Sequence, residues 1–425
     1  MAPALKKDSR ILIIGGGTFG TSTAYHLARR GYNSVTVLDR LPPPSEIAAG
    51  NDINKVIRAD YPDSLYANLA CESIQVWRDP DSLFRRLYHR CGWLLAAPQK
   101  GSSLDFIRGS AKVAAEKGFE PAKQVSAGEV RQRWSAYCGA MVGWQIFWNS
   151  SAGWANARLA LQRMAEAAKA MGVGYIVGDS GFVTNILYDE SGHAIGAESA
   201  DGTFHKADLV LVAAGAAAAS ILNFEGQLVA KGHTVGHIQF TPSEIEKYKS
   251  LPIVDHFEGG IIFPPQEDGI IKIGAVHFVT NYDPASHPNI SLPRYRCDHK
   301  ADGIPKPIES HLRSWLRQLA PELADRPWFE TRVCWDADTP DFHFLISPHP
   351  KHGGLHMAVG GSAHGFKFMP VIGNYVVDSL EGRLDADTAR KWRWRPNAPA
   401  TPNPHPASLL DLNALSEWRR SKAKL

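Results

Sequence analysis

The spacing of apolar and polar positions changes along this chain, and each spacing predicts an element. ILII (Ile11–Ile14) is a continuous apolar run, the pattern of a strand buried on both faces. After the glycines of GGGTFG, Ala24, Leu27 and Ala28 recur at helical spacing, and VTVLD returns to a strand ending in Asp39. Further on, MAEAAKAMG predicts a helix, followed by short strands with Gly/Asp turns and a strand at 208–213 that runs into Gly215. Residues 229–283 are strand-rich in HIQF, PIVDHF, GIIFPP and GIIKIGAVHF. Helical spacing with a proline stop marks 310–327, and 353–373 reads as strand, glycine-rich turn and helix. From Trp392 the run WRWRPNAPATPNPHPA is Pro-rich, which predicts an extended tail beyond the last packed element. No internal repeat is visible.

Composition narrows the class. A chain of 425 residues exceeds one ordinary core and fits two interleaved domains. Its 46 basic and 43 acidic side chains nearly balance, so no strong field points to nucleic acid. The five cysteines (Cys71, Cys91, Cys138, Cys297, Cys334) are odd in number and lack CxxC spacing. That argues against a disulfide framework or a zinc site and for a reducing compartment. Lys6, Lys7, Asp8 and Arg10 precede a very short apolar run, unlike a secretory signal. The longest apolar stretch, 209–222, is too short and too rich in Ala and Gly to span a bilayer, so no membrane segment is expected.

Four places carry candidate chemistry. Gly15, Gly17 and Gly20 form G-x-G-x-x-G inside a strand–turn–helix–strand frame. Such glycines allow a tight turn, a pyrophosphate on free N–H groups and close helix–strand packing. Asp39 follows at the distance where an acid accepts hydrogen bonds from a ribose, so a dinucleotide site is expected here. Lys272 interrupts the apolar run GIIKIGAV, either as an edge-strand lysine that blocks sheet pairing or as a functional cation. Lys55 and Arg58 stand three apart and would share a face on a helical turn, either as a carboxylate clamp or as a solvated basic edge. The turn after the strand in 353–373 aims free N–H groups outward, with Lys367 beside it. His343, His349, His352, His356 and His364 crowd one region, but HExxH is absent and the spacing does not converge on one ion. No metal site is expected.

Together GGGTFGTSTAYHLARRGY, AAGNDINKVIRADY, SSAGWANARLAL, IIKIG, RVCWDADTPDFHFLI and GGSAHGFKFMPVIG resemble the sarcosine oxidase family of FAD-dependent amine oxidases. The resemblance is to its fungal branch of fructosyl amino acid oxidases (amadoriases) and saccharopine or pipecolate oxidases. It implies an α/β fold. A Rossmann-type FAD-binding domain, glutathione reductase-like and of the D-amino-acid oxidase superfamily, interleaves with an α+β substrate domain on a large antiparallel sheet. The expected FAD segments are 8–90, 150–222 and 328–396. The expected substrate segments are 91–149 and 223–327, with 397–425 as the tail.

By position, the resemblance puts the flavin-linking cysteine at Cys334, joined through sulfur to the flavin 8α carbon. The oxygen-activating lysine falls on Lys272, the substrate-carboxylate pair on Arg58 and Lys367, and a basic residue beside the flavin on Lys55. Further cofactor contacts are implied at Gly15, Gly17, Thr18, Phe19, Gly20, Asp39, Arg40, Asn54, Gly215, Gly361, His364, Gly365 and Phe366. The implied activity is oxidation of a C–N bond in a small amino-acid-type secondary amine, with O2 as acceptor and hydrogen peroxide as product, by a monomer. Fructosyl oxidases commonly carry an acid four places after the lysine, where this chain has Val276, and usually lack an arginine at Arg58. Both departures favour N-alkyl or cyclic amino acids over fructosyl substrates. A specialised amine oxidase of fungal secondary metabolism, an NAD-dependent dehydrogenase on the same fingerprint and a flavin-binding protein without turnover remain as alternatives. Ala423-Lys424-Leu425 resembles a peroxisomal address read by an import receptor, so a peroxisomal location is expected, with the cytoplasm as alternative.

Overall fold

The computed structural model describes residues 5–283, 287–406 and 409–419. One sheet has six strands in the order Leu345–Pro348, Leu355–Val359, Leu209–Val212, Ile11–Ile14, Val35–Leu38 and Gly174–Ile176. All its pairs are parallel except the outermost, between Leu345–Pro348 and Leu355–Val359. Ile11–Ile14 lies at its centre and is buried throughout, which is why that stretch reads as an unbroken apolar run. The helix Thr18–Arg29 packs on this sheet and against the helices Met369–Leu380 and Ala157–Ala170. The first contact is close: a Cβ on Gly373 would lie 2.2 Å from the Ser22 carbonyl oxygen.

The second sheet has eight strands in sequence across it. They run Glu330–Asp338, Val229–Gln239, Ile270–Thr280, Gly260–Ile262, Ile253–His256, Trp93–Ala97, Gln145–Asn149 and Lys123–Val125. Across these eight strands it departs from the expected antiparallel sheet at one place, since Ile253–His256 and Trp93–Ala97 run parallel. A ninth strand, Leu410–Asp411, also pairs parallel, with Ile270–Thr280. Its back face is covered by the helix Lys306–Leu319, whose Leu312, Trp315, Leu316 and Leu319 join the core of Ile262, Ile271, Ile273 and Val279. Period-2 alternation then turns Lys272 to the front, with Phe278.

Two segments depart from the reading of the sequence. Glu330–Asp338, grouped there with the FAD segments, pairs with Val229–Gln239 and so belongs to the second sheet. Cross-strand hydrogen bonding overrides its closeness in sequence to Leu345–Pro348. The tail is packed, not extended beyond the core: Leu410–Asp411 pairs with Val279 and Thr280, and Leu412 is buried. Upstream of that strand, His405 Nδ1 donates to the Phe257 carbonyl at 2.9 Å, and the ring lies against those of Phe257 and Phe278 on the front face. Among the described residues no helix is long and apolar enough to cross a membrane.

Candidate active site

The glycine turn is built as the spacing requires. Gly15 has φ +105°, and a Cβ there would stand 2.6 Å from the Ala213 carbonyl oxygen. A Cβ on Gly20 would strike the Gly15 carbonyl at 1.8 Å. Gly17 caps the helix Thr18–Arg29 without any side-chain hydrogen bond, so its first N–H groups are left for an anion. Asp39 sits at the end of Val35–Leu38. Its carboxylate accepts from the N–H groups of Gly16 (2.7 Å) and Leu41 (2.9 Å) and from Ser45 Oγ (2.8 Å). Burial raises its pKa, and those donors work against the rise.

These residues open into a cavity of about 360 Å³. Gly15, Gly17, Thr18, Phe19, Asp39, Arg40, Gly215, Gly361, Gly365 and Phe366 all line it, and it reaches Lys55 and Asp336. Arg40 also pairs with Asp298 at 2.5 Å. The lining fits FAD at both ends, with an uncapped helix and an acid placed for a ribose at one and Lys55 at the other. Gly20 packs beneath the turn and does not line the cavity. Asn54 is fully buried, and neither its amide nitrogen nor its amide oxygen has a partner among the described residues.

Around the far end stands a cluster of charges on one acid. Asp52 pairs with Arg332 (2.5 Å), Lys272 (2.9 Å) and Lys55 (3.1 Å). Lys272 also donates to the Asn54 carbonyl and lies 4.3 Å from the centre of the Phe263 ring. Its strand is interior, which removes the reading of an edge lysine. Burial alone would raise the Asp52 pKa, but the three cations hold it well below the usual carboxylate range. Burial lowers Lys272 to about 8, with Asp52 opposing. Three cations share one carboxylate, so the cluster keeps a net positive charge. Cys334 lies at its side, buried, 3.9 Å from Lys55 Nζ and 3.8 Å from the Ala49 carbonyl. Burial raises its thiol pKa, while Lys55 works to lower it.

Lys55 and Arg58 do not share a face. Lys55–Ile57 is a strand paired with Gly153–Ala155, so the two side chains diverge. Arg58 turns away to the rings of Tyr61 (4.6 Å), Trp93 (4.9 Å) and Phe106 (5.5 Å), and donates to the Asp60 carbonyl. Lys367, in the 3-10 turn Phe366–Phe368, donates to the His364 carbonyl at 2.8 Å and also approaches Tyr61, at 5.4 Å. Tyr61 thus brings Arg58 and Lys367 together. Among the described residues neither has a carboxylate partner. Burial, with Arg58 and Lys55 nearby, holds Lys367 well below the usual lysine range. His364 bonds Tyr61 Oη at 3.3 Å and the Phe342 carbonyl at 2.8 Å.

The turn that carries Lys367 is strained. Gly360 (φ 74°), Ser362 (φ 47°) and Ala363 (φ 59°) are all left-handed, two of them without glycine's freedom. Ser362 is held by its N–H on the Ala337 carbonyl (2.9 Å) and by its hydroxyl, which accepts from the Thr339 N–H (3.2 Å). Asp52, Arg332, Tyr61 and Asp336 were not singled out in the sequence. Only position in the fold shows Asp52 to be a hub, although Asp52 and Lys55 are neighbours in NDINK. Among the described residues no cluster of three or more His, Cys, Asp or Glu could hold a metal. Ala423-Lys424-Leu425 lies outside the described residues.

Comparison with known proteins gives a consistent result. The family described as FAD dependent oxidoreductase matches residues 10–379. L-saccharopine oxidase of Schizosaccharomyces pombe is 32% identical, over 91% of this chain and 93% of its own. Monomeric sarcosine oxidase of a Bacillus species is 24% identical, over 89% of this chain and 93% of its own. Among solved structures, the deglycating fructosamine oxidase Amadoriase II of Aspergillus fumigatus superposes with a TM-score of 0.87 at 35% identity, over 97% of each chain.

Proposed function

This chain belongs to the FAD dependent oxidoreductase family, and we propose that it oxidises the C–N bond of secondary-amine amino acids with O2. The observation that carries the reading is the pair Arg58 and Lys367, two buried or half-buried cations without a carboxylate, joined by one tyrosine ring. A small amino acid brings the missing carboxylate. Arg58 can grip it with two parallel N–H groups, and Lys367 adds a point charge.

When bound, FAD would supply the acceptor for a hydride from the carbon next to the amine nitrogen, with O2 as the final acceptor of its two electrons. The chain supplies the rest. Aromatic walls at Trp93, Phe106 and Tyr61 keep Arg58 dry, which strengthens its hold on a carboxylate. Burial holds the Lys367 pKa down, and a carboxylate beside it would favour its charged form. Lys272 holds a positive charge, fixed by Asp52 and the Asn54 carbonyl, where negative charge develops on O2. Cys334, beside Lys55, would carry FAD through a thioether.

N-alkyl and cyclic amino acids of the saccharopine, pipecolate or sarcosine kind fit this reading. A fructosyl amino acid is the second reading, carried by the similarity to Amadoriase II; Val276 offers no acid for a sugar. Peroxide as product, a monomeric state and delivery to the peroxisome through Ala423-Lys424-Leu425 complete the proposal. The test is peroxide release across sarcosine, pipecolate, saccharopine, proline, N-methyl amino acids and fructosyl-lysine. Turnover of at least one non-sugar secondary amine is expected. Turnover of the fructosyl compound alone would transfer the reading to deglycation.

A further inference from the structure

Asp255 is the front-face acid for which the proposed chemistry has no use. It stands in Ile253–His256, between Trp93–Ala97 and Gly260–Ile262. Along this strand Ile253 joins the front cluster with Trp93 and Phe263, as does Phe257 just beyond it. Val254 joins the back core, and His256 lies against Trp144. Alternation therefore points Asp255 to the front, the face of Lys272.

Most other acids on this side have a partner. Asp52 holds three cations, Asp60 accepts from Asn149 at 2.8 and 3.0 Å, and Asp338 pairs with Lys231 at 2.9 Å. Asp336 has only His233 at 3.4 Å, an imidazole that burial keeps neutral. Asp255 is only 8% exposed, yet among the described residues it has neither a hydrogen bond nor an ion pair. A buried carboxyl without a partner is costly, so its retention asks for a ligand. Arg58 is the charge that acts on it, though beyond ion-pair distance, and burial has pushed its pKa up to about 7.

Its place in the sheet sets the reach. Asp255 is opposite Ile261, which is opposite Gly274, two residues from Lys272. Two strand spacings put the Asp255 column about 10 Å from the Lys272 column. A group held at Asp255 is therefore several bonds from a nitrogen that reacts near Lys272. Arg58 and Lys367 lack acids among the described residues, and Asp255, which feels Arg58, lacks both a cation and a hydrogen bond.

We propose that Asp255 is a specificity residue that accepts a second, non-reacting ammonium group of the substrate whose carboxylate Arg58 and Lys367 hold. The preferred substrates are then diamino acids, with one nitrogen alkylated and oxidised and the other free. This rests on the oxidase reading above.

The test compares L-saccharopine, which carries a secondary amine and one free α-ammonium, with its deamino analogue, in which hydrogen replaces that ammonium. Peroxide release by the holoenzyme gives kcat/KM for both, with sarcosine and pipecolate as small controls. The expected result is a preference for saccharopine of about 10-fold or more, abolished in Asp255→Asn by a fall for saccharopine alone. Equal treatment of the pair by the natural enzyme overturns the proposal. So does an equal fall for both in Asp255→Asn, which would make Asp255 only a counter-charge for Arg58. Turnover of sarcosine or pipecolate without either of the pair overturns this inference and leaves the oxidase reading intact. No peroxide from any secondary amine removes the oxidase reading itself. If Asp255→Asn fails to hold flavin, Asp255→Ser is read by the same criteria.

Discussion

Two groups of cations stand within this site, and they are built in opposite ways. Lys55, Lys272 and Arg332 converge on a single carboxylate, Asp52, within 3.1 Å. Arg58 and Lys367 instead rest on aromatic rings and backbone carbonyls, with no acid in contact among the described residues. The first group is complete within the protein, so it can fix a charge but has little need of a ligand. The second is incomplete, because a buried cation without a counter-charge is stable only if something else fills that role. On the proposed function this difference is a division of labour, with one group on the oxygen side of the reaction and the other on the substrate side.

Variants on each side can break or sharpen that division. The largest effect is expected at Cys334, beside the closed group. Cys334→Ser should release all flavin to the supernatant on acid precipitation, while the natural protein gives a coloured pellet. A coloured pellet from the variant would end the thioether assignment. Next comes Lys272→Met, expected to slow reoxidation of the reduced enzyme by about 100- to 1000-fold. Reduction by the amine should change only a few-fold, as followed by rapid mixing. Arg58→Ala should do the reverse, raising KM for the amino acid by about 100-fold with little effect on reoxidation. If both variants moved the same step, the two groups would be one.

The smallest effect is pH-dependent. Lys272 has its pKa lowered to about 8, so its charge is present below that pH and lost above it. Reoxidation should therefore fall as pH rises through about 8, by about ten-fold per unit at most, and Lys272→Met should remove that slope. A rate constant flat with pH in the natural enzyme would contradict the role given to this amine.

Much of the frame was legible because its signals are local. Gly15, Gly17 and Gly20 act within a few residues, and so do Ile11–Ile14 and Asp39; the cavity forms where they imply. The turn bearing Lys367 was visible for the same reason. What escaped depends on residues far apart in the chain. Asp52 becomes a hub only when Lys272 and Arg332 arrive from two strands of the second sheet. Lys55 and Arg58 looked like one helical face because spacing alone does not reveal a strand of three residues. Prolines after Trp392 suggested a loose tail, yet Leu410–Asp411 finds a sheet edge and His405 finds the front face. Asp255 gave no signal at all, since an acid in PIVDHF reads like any strand residue until its neighbours are known.

The most direct test of the central claim separates the two halves of the reaction in the purified holoenzyme. A secondary-amine amino acid is added without oxygen, the flavin absorbance is followed, and O2 is then admitted. Bleaching by the amine, followed by full recovery on O2 with one peroxide formed per flavin, is the predicted result. A flavin that no secondary amine can bleach, but that a reduced nicotinamide nucleotide can, would contradict it.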